Sequence, residues 1–261
     1  MRQKVDTRLA VVKRWGLPTL LLAGLVGTWQ LAASSGALAD VLNVESFLVP
    51  SPAEIAEALW QSRSLLAENA WVTLREILLG FLCALAAGLG FAILLRLSDT
   101  LRRAAYPLLV ATQAIPILVI APILVVWLGY GIWPKLAIVA LVCFFPIAVN
   151  TADGLRAVDP EATKMMRTLD ATRWQLLRRV EAPTALPYLL SGARVAVAFA
   201  PIAAVFGEWA GSDSGLGHLI LQDNAQLETA RVFAAAAVLA AIGIALFALL
   251  ALAERRIVTW R

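Results

Sequence analysis

The sequence predicts an all-α polytopic membrane protein with six transmembrane helices, and three observations lead to this fold class. Hydrophobic residues make up 61% of the 261 residues and charged residues only 15%, whereas soluble domains have about 45–50% and 25%. The apolar residues form long blocks, and an α-helix needs roughly 20 such residues to cross a bilayer. Basic residues collect in alternate connections between the blocks, as in other polytopic proteins. We therefore expect residues 1–261 to form a single transmembrane domain.

The first predicted span covers residues 17–33 and follows a basic segment. A removed signal peptide is the alternative, since Ala37-Leu38-Ala39 resembles a cleavage site, but the apolar run is longer than a usual signal-peptide core. Ser51 or Pro52 is then expected to begin a short amphipathic helix that runs to Trp60. The remaining predicted spans are residues 71–95, 104–129, 136–150, 188–210 and 233–253.

The third predicted span contains three prolines, Pro107, Pro116 and Pro122. Proline frees a backbone carbonyl and kinks a helix, which membrane proteins tolerate where helices pack together or line a cavity. With Thr112 and Gln113 close to Pro116, this span is our candidate for part of a translocation path. Ordinary helix packing, with the polar side chains joining neighbouring helices, is the alternative. Gly80, Gly88 and Gly90 in the second span are expected to allow close packing.

The segment 151–187, called the polar loop below, is the one long charged stretch between two very apolar blocks. Its first predicted helix has Asp159 as N-cap and Pro160 at the first helical position. Ala162, Met165, Met166 and Leu169 recur at i, i+3, i+4 and i+7, which predicts one apolar stripe along this helix. Two interpretations stay open: a loop whose basic residues lie near anionic lipid headgroups, or a helix that docks in a partner's groove with its methionines as adaptable anchors.

A second helix of the polar loop is predicted to begin with a capping box at Thr172 and Gln175 and to stop before Pro183. The basic residues indicate which side of the membrane this loop occupies. With six spans, one side receives 17 of the basic residues, the polar loop and both termini, while the other receives only Arg63, Lys135 and Arg231. The positive-inside rule places the richer side in the cytoplasm.

Catalysis and metal binding find little support in the sequence. His218 is the single histidine, and no H-E-x-x-H or paired-cysteine metal pattern occurs. The segment from Gly211 to Gly215 has Asp213 at its centre, so it is not the G-x-S-x-G nucleophile elbow. No Gly-Lys pair occurs either, so the chain lacks a Walker loop for ATP phosphates. We expect no catalytic residue, no metal site and no cofactor, and nothing in the charge pattern indicates nucleic acid.

Two ionisable residues near span ends need a partner or water, because charge is costly inside a bilayer. Arg194 lies near the polar-loop end of the fifth span and is expected to extend towards the headgroups. Glu208, followed by Trp209, ends the same span on the other side. It is either part of an interfacial anchor pair or a contact with a transported solute or with a delivering protein.

The polar loop also carries a recognisable motif. Its residues are Arg167-Thr168-Leu169, Ala171, Arg173-Trp174-Gln175-Leu176-Leu177-Arg178-Arg179-Val180, Pro183, Ala185-Leu186-Pro187 and Gly192. This pattern resembles the cytoplasmic EAA loop of binding-protein-dependent ABC-importer permeases, in the nitrate, sulfonate, taurine and thiamin-precursor branch. Two departures occur: Asp170 stands at the usual glycine, and Lys164-Met165-Met166 replaces Glu-Ala-Ala. The Gly207-Glu208-Trp209 stretch is more similar to permeases for pyrimidine precursors or vitamins.

The resemblance implies a type I importer permease that translocates a small polar solute, such as a sulfonate, nitrate or a pyrimidine or vitamin precursor. It implies a homodimer in the bacterial inner membrane, two separate ATPase subunits that use ATP and Mg²⁺, and an extracytoplasmic binding protein. An ion-coupled secondary transporter is the alternative, although such proteins usually show internal repeats and charges at the membrane midplane. The residues that the resemblance implies for ATPase coupling are Asp159, Glu161, Ala162, Met165, Met166, Arg167, Leu169 and Asp170.

Overall fold

The computed structural model describes residues 2–259, with side chains from Pro18 onward, and over this part the chain is helical without strands. The twelve α-helices are α1 (Arg2–Ser34), α2 (Ala37–Leu42), α3 (Pro52–Gln61), α4 (Arg63–Leu97), α5 (Asp99–Ala111), α6 (Ile117–Leu128), α7 (Ile132–Gly154), α8 (Pro160–Thr168), α9 (Arg173–Leu176), α10 (Ala182–Gly211), α11 (Leu216–Ala225) and α12 (Thr229–Ile257). This confirms the predicted all-α class.

Four helical stretches among the described residues are long and apolar enough to cross a membrane: α4, α7, the stretch from Arg173 to Gly211, and α12. A fifth candidate is the bent pair formed by α5 and α6. The predicted first span lies within α1, but the basic segment before it and the side chain of Leu17 fall outside the described side chains. The count of six spans therefore stays a prediction.

The third predicted span is not a single helix. The chain bends by 100° between the segments Asp99–Ala114 and Ile117–Leu128, and the break lies at Ile115 and Pro116, both in extended backbone. A residue before proline is driven out of the helical region by the proline ring, which explains the position of the bend. Pro107 and Pro122, by contrast, lie inside helices.

The second helix of the polar loop does not stop before Pro183, as the sequence analysis had predicted. After α9 the chain passes through one π-helical turn, Leu177–Glu181, and continues directly into α10. Proline lacks an N–H and its ring clashes with the carbonyl four residues earlier. A π turn widens the helix locally, so we attribute the continuity of this helix to the turn that precedes Pro183.

The core of the protein is the packing of α4, α7 and α10 against one another. Its buried side chains include Ile77 on α4, Ile138 and Ile147 on α7, and Ala196 and Ala200 on α10. Small residues set the approach distance. A Cβ added at Gly192 of α10 would lie 2.5 Å from the carbonyl oxygen of Pro146, so a larger residue has no room there.

The expectation for glycines in the second span holds at two positions. A Cβ at Gly80 would lie 2.6 Å from the Cβ of Val139, and one at Gly88 would lie 2.8 Å from Ile147 Cγ2. Gly90 has nothing within 4 Å of that position, so for this glycine the expectation of close packing is wrong. It lies on the exposed face of α4.

The helix α12 packs mainly against α10 and α11. Near the polar-loop end, Arg194 of α10 and Glu254 of α12 form an ion pair of 3.0 Å. Arg194 therefore pairs within the protein and does not extend to lipid headgroups, contrary to the expectation. The reason is that a carboxylate is available one helix away, and a paired charge is less costly in an apolar environment.

Candidate functional site

The helix α8 is the most exposed helix of the polar loop and is stabilised by its own caps. The Asp159 carboxylate accepts a hydrogen bond of 2.9 Å from the Glu161 N–H, and Pro160 occupies the first turn, as predicted. Glu161 also forms an ion pair of 2.9 Å with Lys164. An N-cap of this kind contributes about 1 kcal/mol. The short helix is thus formed by local interactions, without burial of any of its residues.

The apolar stripe of α8 is not covered by the rest of the chain. Met165 is 61% exposed and Leu169 is 69% exposed, while Ala162 and Met166 are half-buried. The eight residues predicted for ATPase coupling all lie on α8 or in the turns at its two ends, so the structure brings them together. An amphipathic helix normally buries its apolar face, and here that face is free for another surface.

Asp170 adopts a left-handed backbone conformation, with φ of +52°. Its N–H bonds to the carbonyl of Arg167 and the N–H of Ala171 bonds to that of Met166, both at 3.1 Å. These two bonds form a Schellman motif, in which glycine is the usual left-handed residue. Aspartate tolerates this region better than most residues. The substitution of aspartate for the motif glycine therefore preserves the turn that ends α8.

The helix α9 is attached to the end of α4. Its predicted capping box is confirmed: the Thr172 hydroxyl accepts from the Gln175 N–H at 3.3 Å, and the Gln175 side chain accepts from the Thr172 N–H at 2.8 Å. The Arg173 guanidinium donates to the carbonyls of Arg96 and Leu97, at 3.0 and 3.2 Å. These are among the last carbonyls of α4, which have no partner within the helix.

A second contact joins the same two segments. Arg96 of α4 forms an ion pair of 2.5 Å with Glu181 in the π turn, and the Glu181 side chain is only 5% exposed. Arg96, Arg173 and Glu181, together with the two carbonyls, are called the α4 clamp below. Sequence reasoning missed it, because its partners are distant along the chain and the basic residues were interpreted only through membrane topology.

At the opposite end of the bundle, Glu208 belongs to a buried polar network. Its carboxylate is 1% exposed and accepts three hydrogen bonds: from the Thr73 hydroxyl at 2.6 Å, the Gly217 N–H at 2.5 Å and the His218 N–H at 3.2 Å. The two N–H groups belong to the first turn of α11, where a negative charge is favourable. Glu208 thus holds the N-terminus of α11 against α10.

The same network extends to α7 through Lys135. Its ammonium donates to Glu76 at 2.6 Å and to the Ser212 hydroxyl at 2.7 Å, and both members of the ion pair are buried. Asn69 and Thr73 of α4 accept from the N–H groups of Gly215 and Leu216, respectively. A signal for this network was present in the sequence, since Asn69, Thr73 and Glu76 recur at i, i+4 and i+7 within an apolar span.

Gly215 and Gly217 permit the close approach of Glu208 to the backbone of α11. Gly215 has φ of +110°, a conformation that glycine adopts without cost. A Cβ on Gly217 would lie 2.8 Å from the nearer carboxylate oxygen. This contact therefore explains the two glycines at the start of α11.

The residues predicted for the translocation path do not form one cluster. Thr112 and Gln113 lie at the break between α5 and α6, where both are exposed and the Gln113 amide donates to the Thr112 hydroxyl at 3.2 Å. Pro116 begins α6 from the other side of the break. Glu208 hydrogen-bonds instead to α4 and α11. Its role in a path stays a prediction, as does that of the other three.

No metal centre is visible in the described part of the chain, where no three His, Cys, Asp or Glu side chains are grouped to hold an ion. His218 is half-buried and contributes its backbone N–H to Glu208. The site is therefore best described as two polar assemblies, the α4 clamp and the Glu208 network, at the two ends of one helical core, with α8 exposed beside the clamp.

Comparison with known proteins agrees with this architecture. The sequence profile described as "Binding-protein-dependent transport system inner membrane component" matches residues 77–259. The fold is similar to that of the MetNI methionine ABC transporter in its inward-facing conformation, with a TM-score of 0.62, 22% identity and coverage of 76% of this chain and 97% of that chain. At this identity the likeness shows the fold alone, and the fold is that of a type I ABC importer permease.

Several curated relatives cover nearly the whole chain. The formylaminopyrimidine transport permease of Halalkalibacterium halodurans is 36% identical over 94% of this chain and 95% of its own length. The riboflavin transport system permease of Chloroflexus aurantiacus is 38% identical, covering 98% and 96%, and the taurine permease of Escherichia coli is 27% identical, covering 88% and 90%. These relatives confirm the branch that the polar loop indicated. The chain belongs to the family of inner membrane components of binding-protein-dependent transport systems.

Proposed function

We propose that this chain is the membrane-spanning subunit of an ATP-driven importer and that α8 is the element through which a separate ATPase drives transport. The observation that carries the proposal is the uncovered apolar stripe on a helix that its own caps hold rigid. Two copies of the chain would assemble with two ATPase subunits, which would bind ATP and Mg²⁺, and with an extracytoplasmic binding protein. The chain itself would carry no ATPase chemistry.

The orientation follows from the charge bias. With 17 basic residues on the side of the polar loop and three on the other, the positive-inside rule supports a cytoplasmic location for α8 and for both termini. An ATPase that uses cellular ATP would then meet α8 directly. The Glu208 network and α11 would lie on the outer side, where the binding protein docks.

The mechanism is a change in the relative stability of two conformations. Closure of the ATPases on ATP would displace α8, and the displacement would favour an outward-open over an inward-open arrangement of the spans. The bend between α5 and α6, with Thr112 and Gln113 exposed beside it, is a candidate for the part of the path that changes. Glu208 has both carboxylate oxygens engaged within the protein, so contact with solute would require its network to open.

The solute class is proposed from the relatives. Those named for formylaminopyrimidine and riboflavin are 36% and 38% identical, whereas the one named for taurine is 27% identical. The difference supports a nitrogen heterocycle, a pyrimidine or vitamin precursor, over a sulfonate. Thermal-shift measurements on the binding protein that delivers solute to this chain would test it: stabilisation by a pyrimidine is expected, and stabilisation by taurine alone would contradict it.

Docking through α8 is tested by co-purification. Met165→Glu places a charge in the centre of the stripe, where burial in a partner's groove would leave it unpaired, at a cost of several kcal/mol. We expect recovery of the co-expressed ATPase to fall at least tenfold with membrane insertion unchanged. Thr163→Glu adds the same charge to α8 away from the stripe and is the matched control. Equal ATPase recovery from both variants would refute docking through the stripe.

A further inference from the structure

We infer that the α4 clamp transmits the movement of α8 to the second span, α4, and that Arg96, Arg173 and Glu181 are positioning residues for the coupling of ATP to transport. The inference rests on the proposed function, because it concerns how the displacement of α8 reaches the spans. It adds a route that the covalent chain does not provide, since α4 ends 62 residues before α8 begins and is joined to it only through other helices.

The position of the clamp follows from the connections of α8. On one side α8 follows α7 through residues 155–159; on the other, the Schellman turn at Asp170 leads directly into α9. No residue of α8 is buried. The helix therefore acts on the core chiefly through its two ends, and the C-terminal end is connected to the segment that carries Arg173.

The covalent route from α9 into α10 passes through a weaker stretch. The π turn Leu177–Glu181 interrupts the α-helical hydrogen-bond ladder, and Pro183, directly after it, has no N–H to contribute. Such a stretch is where a helix bends most easily. The clamp lies across this stretch, since Arg173 precedes the π turn and Glu181 ends it, and both bind the last turn of α4.

The chemistry of the clamp suits transmission of movement. Arg173 donates to two adjacent carbonyls at the C-terminus of α4, where a cation is also attracted by the helix dipole. Arg96 and Glu181 form a charge-assisted contact, and the carboxylate of this pair has little access to water. Because α4 packs against α7 at Gly80 and Gly88, a displacement of its end is delivered to the core rather than absorbed.

The test measures movement of α4 with and without ATP. Glu68 is exposed near the far end of α4, so a spin label on Glu68→Cys, in a Cys83→Ser background, reports the distance between the two copies in the assembled transporter. We expect Mg²⁺-ATP with vanadate to shift this distance in the otherwise unchanged protein. In Arg96→Gln/Arg173→Gln the shift is expected to fall to less than half, with the ATPase co-purifying at the same ratio.

Three further variants separate transmission from loss of structure. Arg103→Gln/Arg179→Gln removes two exposed arginines from the adjacent helix α5 and the same π turn and should keep the full shift. Glu181→Arg should lose the shift, and the reversed pair Arg96→Glu/Glu181→Arg should restore most of it. Should the reversed pair fold poorly, Arg173→Gln alone, a change at an exposed side chain, gives the same comparison with Arg179→Gln.

The inference would be overturned if the spin-label distance shifted as much in a clamp variant as in its control. An unchanged distance in the parent protein with ATP bound would also overturn it, because α4 would then not move at all. Failure of the proposed function has a different signature, since the ATPase would not co-purify with the parent protein.

Discussion

Removal of the Glu208 carboxylate should destabilise the protein more than removal of any exposed acid. In Glu208→Ala, the N–H groups of Gly217 and His218 lose their acceptor, while the Thr73 hydroxyl keeps the carbonyl of Asn69 as a partner. Each unsatisfied buried group costs about 1–3 kcal/mol. The expected loss is therefore about 2 kcal/mol or more, before the cavity left by the side chain is counted.

Milder substitutions at this site should give a graded series. In Glu208→Gln the amide oxygen can still accept from the two N–H groups of α11. The amide nitrogen can donate to the hydroxyl oxygen of Thr73, and the Thr73 hydroxyl then donates to the carbonyl of Asn69, 3.1 Å away. Only the charge is lost, at about 1 kcal/mol. Thr73→Val leaves one Glu208 carboxylate oxygen and the Leu216 N–H unpaired. Its loss of stability should therefore lie between those of Glu208→Gln and Glu208→Ala, at about 2 kcal/mol or more.

The chain offers its own probe for this measurement. Cys143 is buried in the core and Cys83 is exposed, and the sequence contains no other cysteine. In a Cys83→Ser background, a thiol-reactive dye therefore reports unfolding through Cys143. A loss of 1 kcal/mol lowers the Tm of a domain of this size by about 2–4 °C, so Glu208→Ala should melt at least about 4 °C below the parent.

The control is Glu68→Ala, which removes an exposed carboxylate from α4 and should leave the Tm unchanged. A Glu208→Ala protein that melts within 2 °C of the parent would refute the reasoning, because the network would then carry no net stability. Transport lost in Glu208→Gln without a change in Tm would indicate instead that the carboxylate meets the solute.

Three other sets of substitutions test separate parts of the structure by the same melting assay. Lys135→Met should cost about 3–5 kcal/mol, because it leaves the Glu76 carboxylate buried without its partner. Adding Glu76→Gln should recover part of this stability, and no recovery would count against the Lys135–Glu76 ion pair. Asp170→Gly should be neutral or raise stability by up to about 1 kcal/mol, and Asp170→Val should lower it, since only glycine adopts the left-handed turn without strain; the reverse order would contradict the turn. Gly192→Ala should lower the Tm by several degrees, because its Cβ would meet a backbone carbonyl that cannot move aside. Gly90→Ala, in open space, should raise the Tm slightly. Equal effects of the two variants would be inconsistent with this packing.

Local features of the polar loop were predictable because the interactions that form them span four residues or fewer. The Asp159 cap, Pro160 in the first turn and the Thr172–Gln175 box all involve neighbours along the chain, so residue type and spacing sufficed. The apolar stripe of α8 follows from the helical period in the same way. The local structure of α8 was therefore predicted from the sequence, whereas its role in ATPase coupling stays a prediction.

Proline effects were predicted only in part. Pro116 ends a helix because the ring acts on the residue just before it, and the extended backbone at Ile115 is the consequence. At Pro183 the same chemistry predicted a helix end that does not occur, because the chain avoids the clash through a π turn. That turn is held by Glu181 and Arg96, so its presence depends on a helix elsewhere in the sequence.

The sequence by itself determined the membrane class, the long apolar helices α4, α7, α10 and α12, the caps of the polar loop and the amphipathic pattern of α8. Tertiary structure decided which polar residues meet. Glu208 and Thr73 lie 135 residues apart along the chain, and Arg96 and Glu181 lie 85 apart. Such partners are chosen by the packing of α4, α7 and α10, where glycines set the distance between helices. An isolated charged residue in an apolar span indicates that a partner is needed, and only the assembled core shows which residue it is.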